Sequence, residues 1–245
     1  MTSTILDKSS FGWDITLGWA TATDKVADLG GTPPIIGSVQ STKLGYPING
    51  YWVRPYTYED TNGDGIIALS ELNVSNDTVF AGYPQPRNEL TVFSGFDLFN
   101  RKVRIQANMD YKGGYKLYNN TERIRCDTRI NCRGNVDPTA PLWEQARAVA
   151  ARQHASRTVY GFIEDASFFR FREVSATWTM PDRWARAIKA QRAALTIGGR
   201  NLGVITDYTG IDPESGYFTT LSGNQSDFQT APPPSYFTFR LNLTF

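Results

Sequence analysis

The sequence predicts an all-β fold, specifically an antiparallel transmembrane β-barrel segment with long extracellular loops, and three features carry that reading. Stretches of about ten residues alternate between apolar and polar side chains. The connections between them alternate between short and long. Aromatic residues (Phe11, Trp13, Trp19, Tyr111, Trp178, Phe237) gather near the ends of the alternating stretches, as interfacial girdles require. Composition agrees. With 13% aromatic and 20% charged residues, 21 Gly and 13 Pro, the 245-residue chain is too aromatic for disorder and lacks the Ala-Leu-Glu-Lys runs of a helical bundle. The 25 Lys+Arg and 24 Asp+Glu leave a net charge of +1, so no bulk field favours nucleic acid and none is expected as a partner. No run of about 18 apolar residues exists for a helical span. The mean hydropathy of -0.37 is still compatible with a barrel, whose lipid-facing surface occupies only every second residue.

About six membrane-crossing strands follow from the period-two pattern. In the first, Phe11, Trp13, Ile15, Leu17 and Trp19 share one parity, and Gly12, Asp14, Thr16, Gly18 and Ala20 the other. Residues 89–98 set Leu90, Val92, Phe96 and Leu98 on one face. In 101–111, Val103, Ile105, Ala107, Met109 and Tyr111 oppose Lys102, Arg104, Gln106, Asn108 and Asp110. Along 167–179 the apolar set changes parity, from Phe169 and Phe171 to Val174, Ala176 and Trp178, which predicts a β-bulge or burial on both faces. Residues 193–202 group Ala193, Leu195 and Ile197. Residues 235–245 alternate Phe237, Phe239, Leu241, Leu243 and Phe245 with Tyr236, Thr238, Arg240, Asn242 and Thr244. The LFNR region and the helix-like PDRWARAIKAQR form the short connections, whereas the others run to about 60, 50 and 30 residues. Short turns on one side and long loops on the other are what an outer-membrane barrel shows.

Candidate sites are few. Counting from Asp60, the segment EDTNGDGIIALSEL supplies Asp60, Asn62, Asp64 and Glu71 at positions 1, 3, 5 and 12 of a calcium loop, with the Ile66 carbonyl at position 7. Ca²⁺ needs such hard oxygen ligands, and Gly65 permits the sharp turn; a self-capping Asp/Asn/Gly turn is the other reading. Any Ca²⁺ would be a structural staple in an extracellular loop. Trp52, Tyr56 and Tyr58 are candidates for stacking on sugar rings, loop packing being the alternative. Cys126 and Cys132, in CDTRINC, have the wrong spacing for a zinc ribbon and leave open a local disulfide or two free thiols. The arginines around them and those of the 181–192 turn read as solvated. The lone histidine, His154, lies in a polar stretch, and no phosphate loop or nucleophile elbow occurs, so no enzyme is expected.

In order along the chain, FGWDITLGWA, LGYPINGYW, DTNGDGII, AGYPQPRNELTVFSGFDLFNRKVRIQANMDYKGG, YGFIEDASFFRFREVSATWTMP, LTIGGRNL, TGIDPESG and YFTFRLNLTF resemble the C-terminal part of SusC/RagA-type TonB-dependent outer-membrane transporters. The resemblance implies a wall segment of a barrel of about 22 strands in the bacterial cell outer membrane. It implies import of oligosaccharides or peptides with a SusD-like lipoprotein, and energy from TonB through an N-terminal part. Phe239, Leu241, Leu243 and Phe245 resemble the signal read by the barrel-assembly machinery. No signal peptide, plug domain or TonB-contacting box is recognisable in residues 1–245, so the expectation is a C-terminal portion lacking the plug and the N-terminal strands. Outer-membrane lipids would cover the apolar parities, and Asp14, Thr16, Lys102, Arg104, Gln106, Asn108, Asp110, Arg240 and Asn242 would face a watery lumen, where their charges need no buried partners. The rival expectation is a secreted, calcium-stapled β-sandwich that binds carbohydrate.

Overall fold

The computed structural model describes residues 2–218 and 225–245. Its main sheet has seven strands: β1 (Thr2–Asp7), β2 (Phe11–Thr21), β3 (Asn88–Leu98), β4 (Val103–Gly113), β5 (Phe168–Thr179), β6 (Arg192–Thr206) and β7 (Tyr236–Thr244). Each pairs antiparallel with its neighbour in sequence, giving an up-and-down meander. The three short connections therefore collect at one end and the three long ones at the other.

Pairing brings the alternating residues into rows. One row runs Phe11, Leu98, Val103, Trp178, Leu195 and Leu241, and the next Trp13, Phe96, Ile105, Ala176, Ile197 and Phe239. Between them on the opposite face lie Asp97, Arg104, Thr177, Thr196 and Arg240. Because side chains repeat every two residues, a one-residue slip would interchange the faces.

The structure departs from the expectation of six strands at β1. Ile5 and Leu6 are adjacent in TSTILD, and the pairing register shifts between Thr4 and Leu6, which erases the alternation. The parity change in β5 is a bulge: Phe171 opposes Met109 and Glu173 opposes Asn108, leaving Arg172 as the extra residue. The bulge returns Val174 to the face of Phe171 and sets Arg172 and Glu173 together on the polar face. Strand β6 continues past residue 202, with Asn201 at φ 53° absorbing the irregularity before pairing resumes at Gly203.

The long connections are not bare loops. Residues 114–167 contain helices α1 (Asn120–Asp127), α2 (Arg133–Val136) and α3 (Leu142–Arg152), which an all-β reading did not foresee. Asn119 caps α1 by accepting from the Glu122 N–H at 3.1 Å. The Cys126–Cys132 disulfide closes the turn between α1 and α2. Helix α4 (Asp182–Ala187), entered through Pro181, fills the short connection where a helix was expected.

The core lies in this loop layer. One cluster joins Tyr51, Tyr118, the disulfide, Ala148, Ala151 and Phe162, and a second joins Ile67, Leu72 and Val74 to Ala146, Val149 and Ala150 of α3. Among the described buried apolar residues only Phe168 and Ala193 belong to the main sheet. Its apolar face is left open: Trp19 is 64% exposed, Phe237 72% and Phe239 75%. Among the described residues no second sheet stacks on it, as a sandwich would require.

Candidate functional site

The polar face of the sheet carries an ordered set of ion pairs. Arg104 of β4 reaches across β3, its Nη2 donating to Asp14 at 2.8 Å and its Nη1 to Asp97 at 2.9 Å. Gly95 makes this reach possible, because a Cβ there would strike the Arg104 guanidinium and the Asp14 carboxylate. Nearer the loop layer, Arg172 donates to both oxygens of Asp110, at 2.6 and 2.7 Å, and to both of Glu214, at 2.6 and 2.7 Å. Arg170, with only 2% of its side chain exposed, donates to Asp212 and to Asn201, each at 2.6 Å. Its Nε stands 3.2 Å from Glu214 as a charge contact without hydrogen-bond alignment. Lys112 approaches Glu214 at 3.4 Å.

These contacts pin the Asp212-Pro213-Glu214 segment of the last long connection onto β4 and β5. Burial opposes charge on Glu214, but the Arg172 hydrogen bonds and the cations Arg172, Lys112 and Arg170 hold its carboxyl below the usual range. Asp14, Arg104 and Asp110, whose charges on a watery face need no buried partner, are nonetheless all paired. The cause is the register, which sets opposite charges side by side on neighbouring strands. The sequence carried Arg170, Arg172 and Glu214 only as part of the resembling segments and gave them no role, although the parity change marked the bulge that turns Arg172 inward.

In the candidate calcium loop, Asp60 accepts from the amides of Gly63, Asp64 and Gly65 at 2.8, 3.2 and 2.9 Å. Asn62 bonds Asp64, and Asp64 accepts from the Ile66 amide at 2.8 Å. Glu71 folds back onto the amides of Thr61 and Ala68 at 3.0 and 2.9 Å. The Ala68 amide and the Thr61 hydroxyl hold its carboxyl low. Gly63 and Gly65 take φ of 71° and 78°, the left-handed turn glycine permits. Asp60, Asn62, Asp64 and Glu71 are thus gathered on one loop. Gln145 of α3, unforeseen from sequence, fastens the loop by donating to the Gly65 carbonyl and accepting from the Ile67 amide, both at 3.0 Å.

The three candidate stacking residues are divided. Trp52 sits with Tyr46 and Phe80 at ring separations of 4.7 and 5.7 Å, and the Lys43 ammonium stands 3.6 Å from its ring centroid. Tyr56 packs against the α3 cluster and lies 6.3 Å from Tyr58, whose ring is exposed. Trp52 lines a cleft of about 420 Å³ with Arg54, Tyr118, Arg123, Asp127 and Arg157. Phe239, Leu241 and Leu243 lie on the open apolar face, and Phe245 is 74% exposed.

No family model matches the chain. Over 103 residues, 40% of its length, the chain is 30% identical to TonB-dependent receptor P3 of Formosa agariphila, of which the match covers 10%. Over its full length it is 23% identical to TonB-dependent receptor P26 of the same organism, covering 28% of that protein. The structure of the RagAB peptide transporter contains a chain whose fold matches all of this one with a TM-score of 0.71 at 15% identity, again over 28% of that chain. The RagAB peptide importer in its 'open-open' state matches with a TM-score of 0.67. The chain thus resembles TonB-dependent receptors in sequence and shares its fold with a segment of the RagAB transporter. It spans about a quarter of the length of the proteins it matches end to end.

Proposed function

We propose that the chain is part of the wall of an outer-membrane importer of peptides or oligosaccharides, with the apolar face against lipid and the ion-paired face toward the transport lumen. The observation that carries this reading is the open apolar face. Strands β2 to β7 align their apolar residues in unbroken rows, and nothing among the described residues covers them. Burying each large apolar side chain is worth about 1.5–3 kcal/mol, so a face of this extent is a contact surface, and lipid suits its period-two pattern. Similarity to TonB-dependent receptors and to the RagAB transporter fold supports coupling to TonB through another part of the protein, and work alongside a SusD-like lipoprotein.

The calcium loop belongs to the same reading. Its donors are hard oxygens: Asp60 Oδ2, both Asp64 oxygens and Glu71 Oε2 each accept one bond and keep a second lone pair, whereas Asp60 Oδ1 and Glu71 Oε1 already accept two or more. Asp60, Asn62, Asp64, Glu71 and the Ile66 carbonyl would hold Ca²⁺, which would stiffen the loop that Gln145 ties to α3.

Spin labels placed singly at Leu17, Ile197 and Phe239, and at Thr16, Thr196 and Arg240, test the orientation after reconstitution into lipid vesicles. The first set should be accessible to oxygen and shielded from a water-soluble nickel relaxant, and the second set the reverse. Equal access of the nickel reagent to both sets would overturn the membrane reading.

A further inference from the structure

Within the loop layer, the cleft beside Trp52 has donors with nothing to receive them. Three guanidinium groups line it, and they are not equivalent. Arg123 is fully committed: Nε donates to the Tyr118 hydroxyl, Nη2 to Asn120 at 2.7 Å, and Nη1 to Asp127 at 3.1 Å. Asp127, the one carboxylate lining the cleft among the described residues, is thereby neutralised. Arg54 makes a single long bond, 3.4 Å to the Ser156 carbonyl. The Arg157 guanidinium, on an exposed residue, has no partner among the described residues. The buried indole N–H of Trp52 has no acceptor either, and Lys43 adds positive charge on that ring.

The walls are rigid. The disulfide anchors α1, which carries Arg123, in the cluster with Tyr51, Tyr118 and Phe162, and Thr158 ties its own segment to the Arg54 carbonyl at 2.5 Å. A volume of about 420 Å³ falls in the range of small-ligand sites and admits a terminal amino-acid residue or one sugar ring. The cleft therefore combines two under-used guanidinium groups and an aromatic wall with no free carboxylate.

We propose that this cleft binds the carboxylate group of a transported solute, with Arg54 and Arg157 as its charged donors and Trp52 as the apolar wall. A planar carboxylate matches the two-pronged donor geometry of guanidinium. The inference rests on the importer reading and narrows it to acidic solutes, either a peptide ending in a free carboxylate or an acidic sugar.

Calorimetric titration of the full chain in detergent micelles separates these sources. N-acetyl-dialanine is compared with its amide, and methyl glucuronide with methyl glucoside. At least one acid should bind tenfold or more tightly than its neutral counterpart, and which one identifies the source. R54Q and R157Q should each weaken that acid about tenfold, the worth of one charge-assisted hydrogen bond. R125Q, which alters an exposed arginine paired to Glu122, should leave binding unchanged. Near-UV circular dichroism verifies that each variant is folded. No preference for either acid by the folded chain, or binding indifferent to both R54Q and R157Q, would overturn the proposal. Either outcome leaves the spin-label result standing, so failure of the cleft is distinguishable from failure of the importer reading.

Discussion

Replacing Asp212 by asparagine keeps the shape of the side chain and removes the charge opposite Arg170. Both partners are buried, with 2% and 5% of their side chains exposed. Deleting one member of such a pair strands the other charge, at a typical cost of about 3–5 kcal/mol. Two contacts soften the loss here: Asn201 still accepts from Arg170 at 2.6 Å, and Glu214 remains 3.2 Å from its Nε. The low end of the range, about 3 kcal/mol, is therefore expected. The cost falls on the 207–216 segment, because Asp212 also accepts from the Glu214 amide at 2.8 Å and so shapes the turn. At 1.4 kcal/mol per factor of ten, local opening should become about a hundredfold more frequent. Hydrogen exchange read on peptides covering 207–216 measures this directly, since exchange of protected amides follows local opening. D137N supplies the contrast, because the Asp137–Arg133 pair is exposed and should leave exchange nearly unchanged. Exchange of 207–216 in D212N within about threefold of the parent would refute the claim that the buried pair holds this segment down.

The same segment should respond to acid. Glu214 has its folded pKa lowered, so its contribution is fully present above the ordinary glutamate value of about 4.3 and is lost as pH falls through the lowered folded value. Pepsin nicking of 207–216 should rise as pH drops below about 4, and an unchanged nicking pattern down to about pH 2 would contradict the assignment. G95A should push Arg104 off Asp14 and cost up to about 1 kcal/mol, the scale of a half-exposed ion pair. Thermal melting should show that cost in the parent and not in an R104Q background; equal losses in both would mean that Gly95 serves something else. For the calcium loop, Tb³⁺ luminescence should report binding that Ca²⁺ competes away, and E71Q should weaken Ca²⁺ tenfold or more. A parent chain giving no Tb³⁺ signal would reduce the loop to a self-capped turn.

The sheet was legible in the sequence because a strand with one apolar and one polar side must alternate residue by residue, and five of the seven strands do so plainly or nearly so. Strand β5 was legible as a defect, since the step from Phe171 to Val174 called for either a bulge or burial on both faces, and the pairing with β4 decided for the bulge. Strand β1 escaped because its bulge sets Ile5 beside Leu6. The loop helices escaped for a different reason. Helix α3, LWEQARAVAAR, is held by packing against strands distant in sequence, and the composition of the whole chain points to β structure.

The candidate residues divide along the same line. The candidate calcium loop is a local motif with its oxygen donors within twelve positions, so spacing alone assembled it. Arg170 with Asp212, Arg172 with Asp110 and Glu214, and Gln145 with Gly65 are separated by dozens of residues and meet only through register and loop packing. By itself the sequence determined what each strand would show to either side, because alternation is a property of neighbouring residues. Only the tertiary structure decided which charges face one another and which arginines remain without a counter-charge, because those depend on how far each strand is slid along the next.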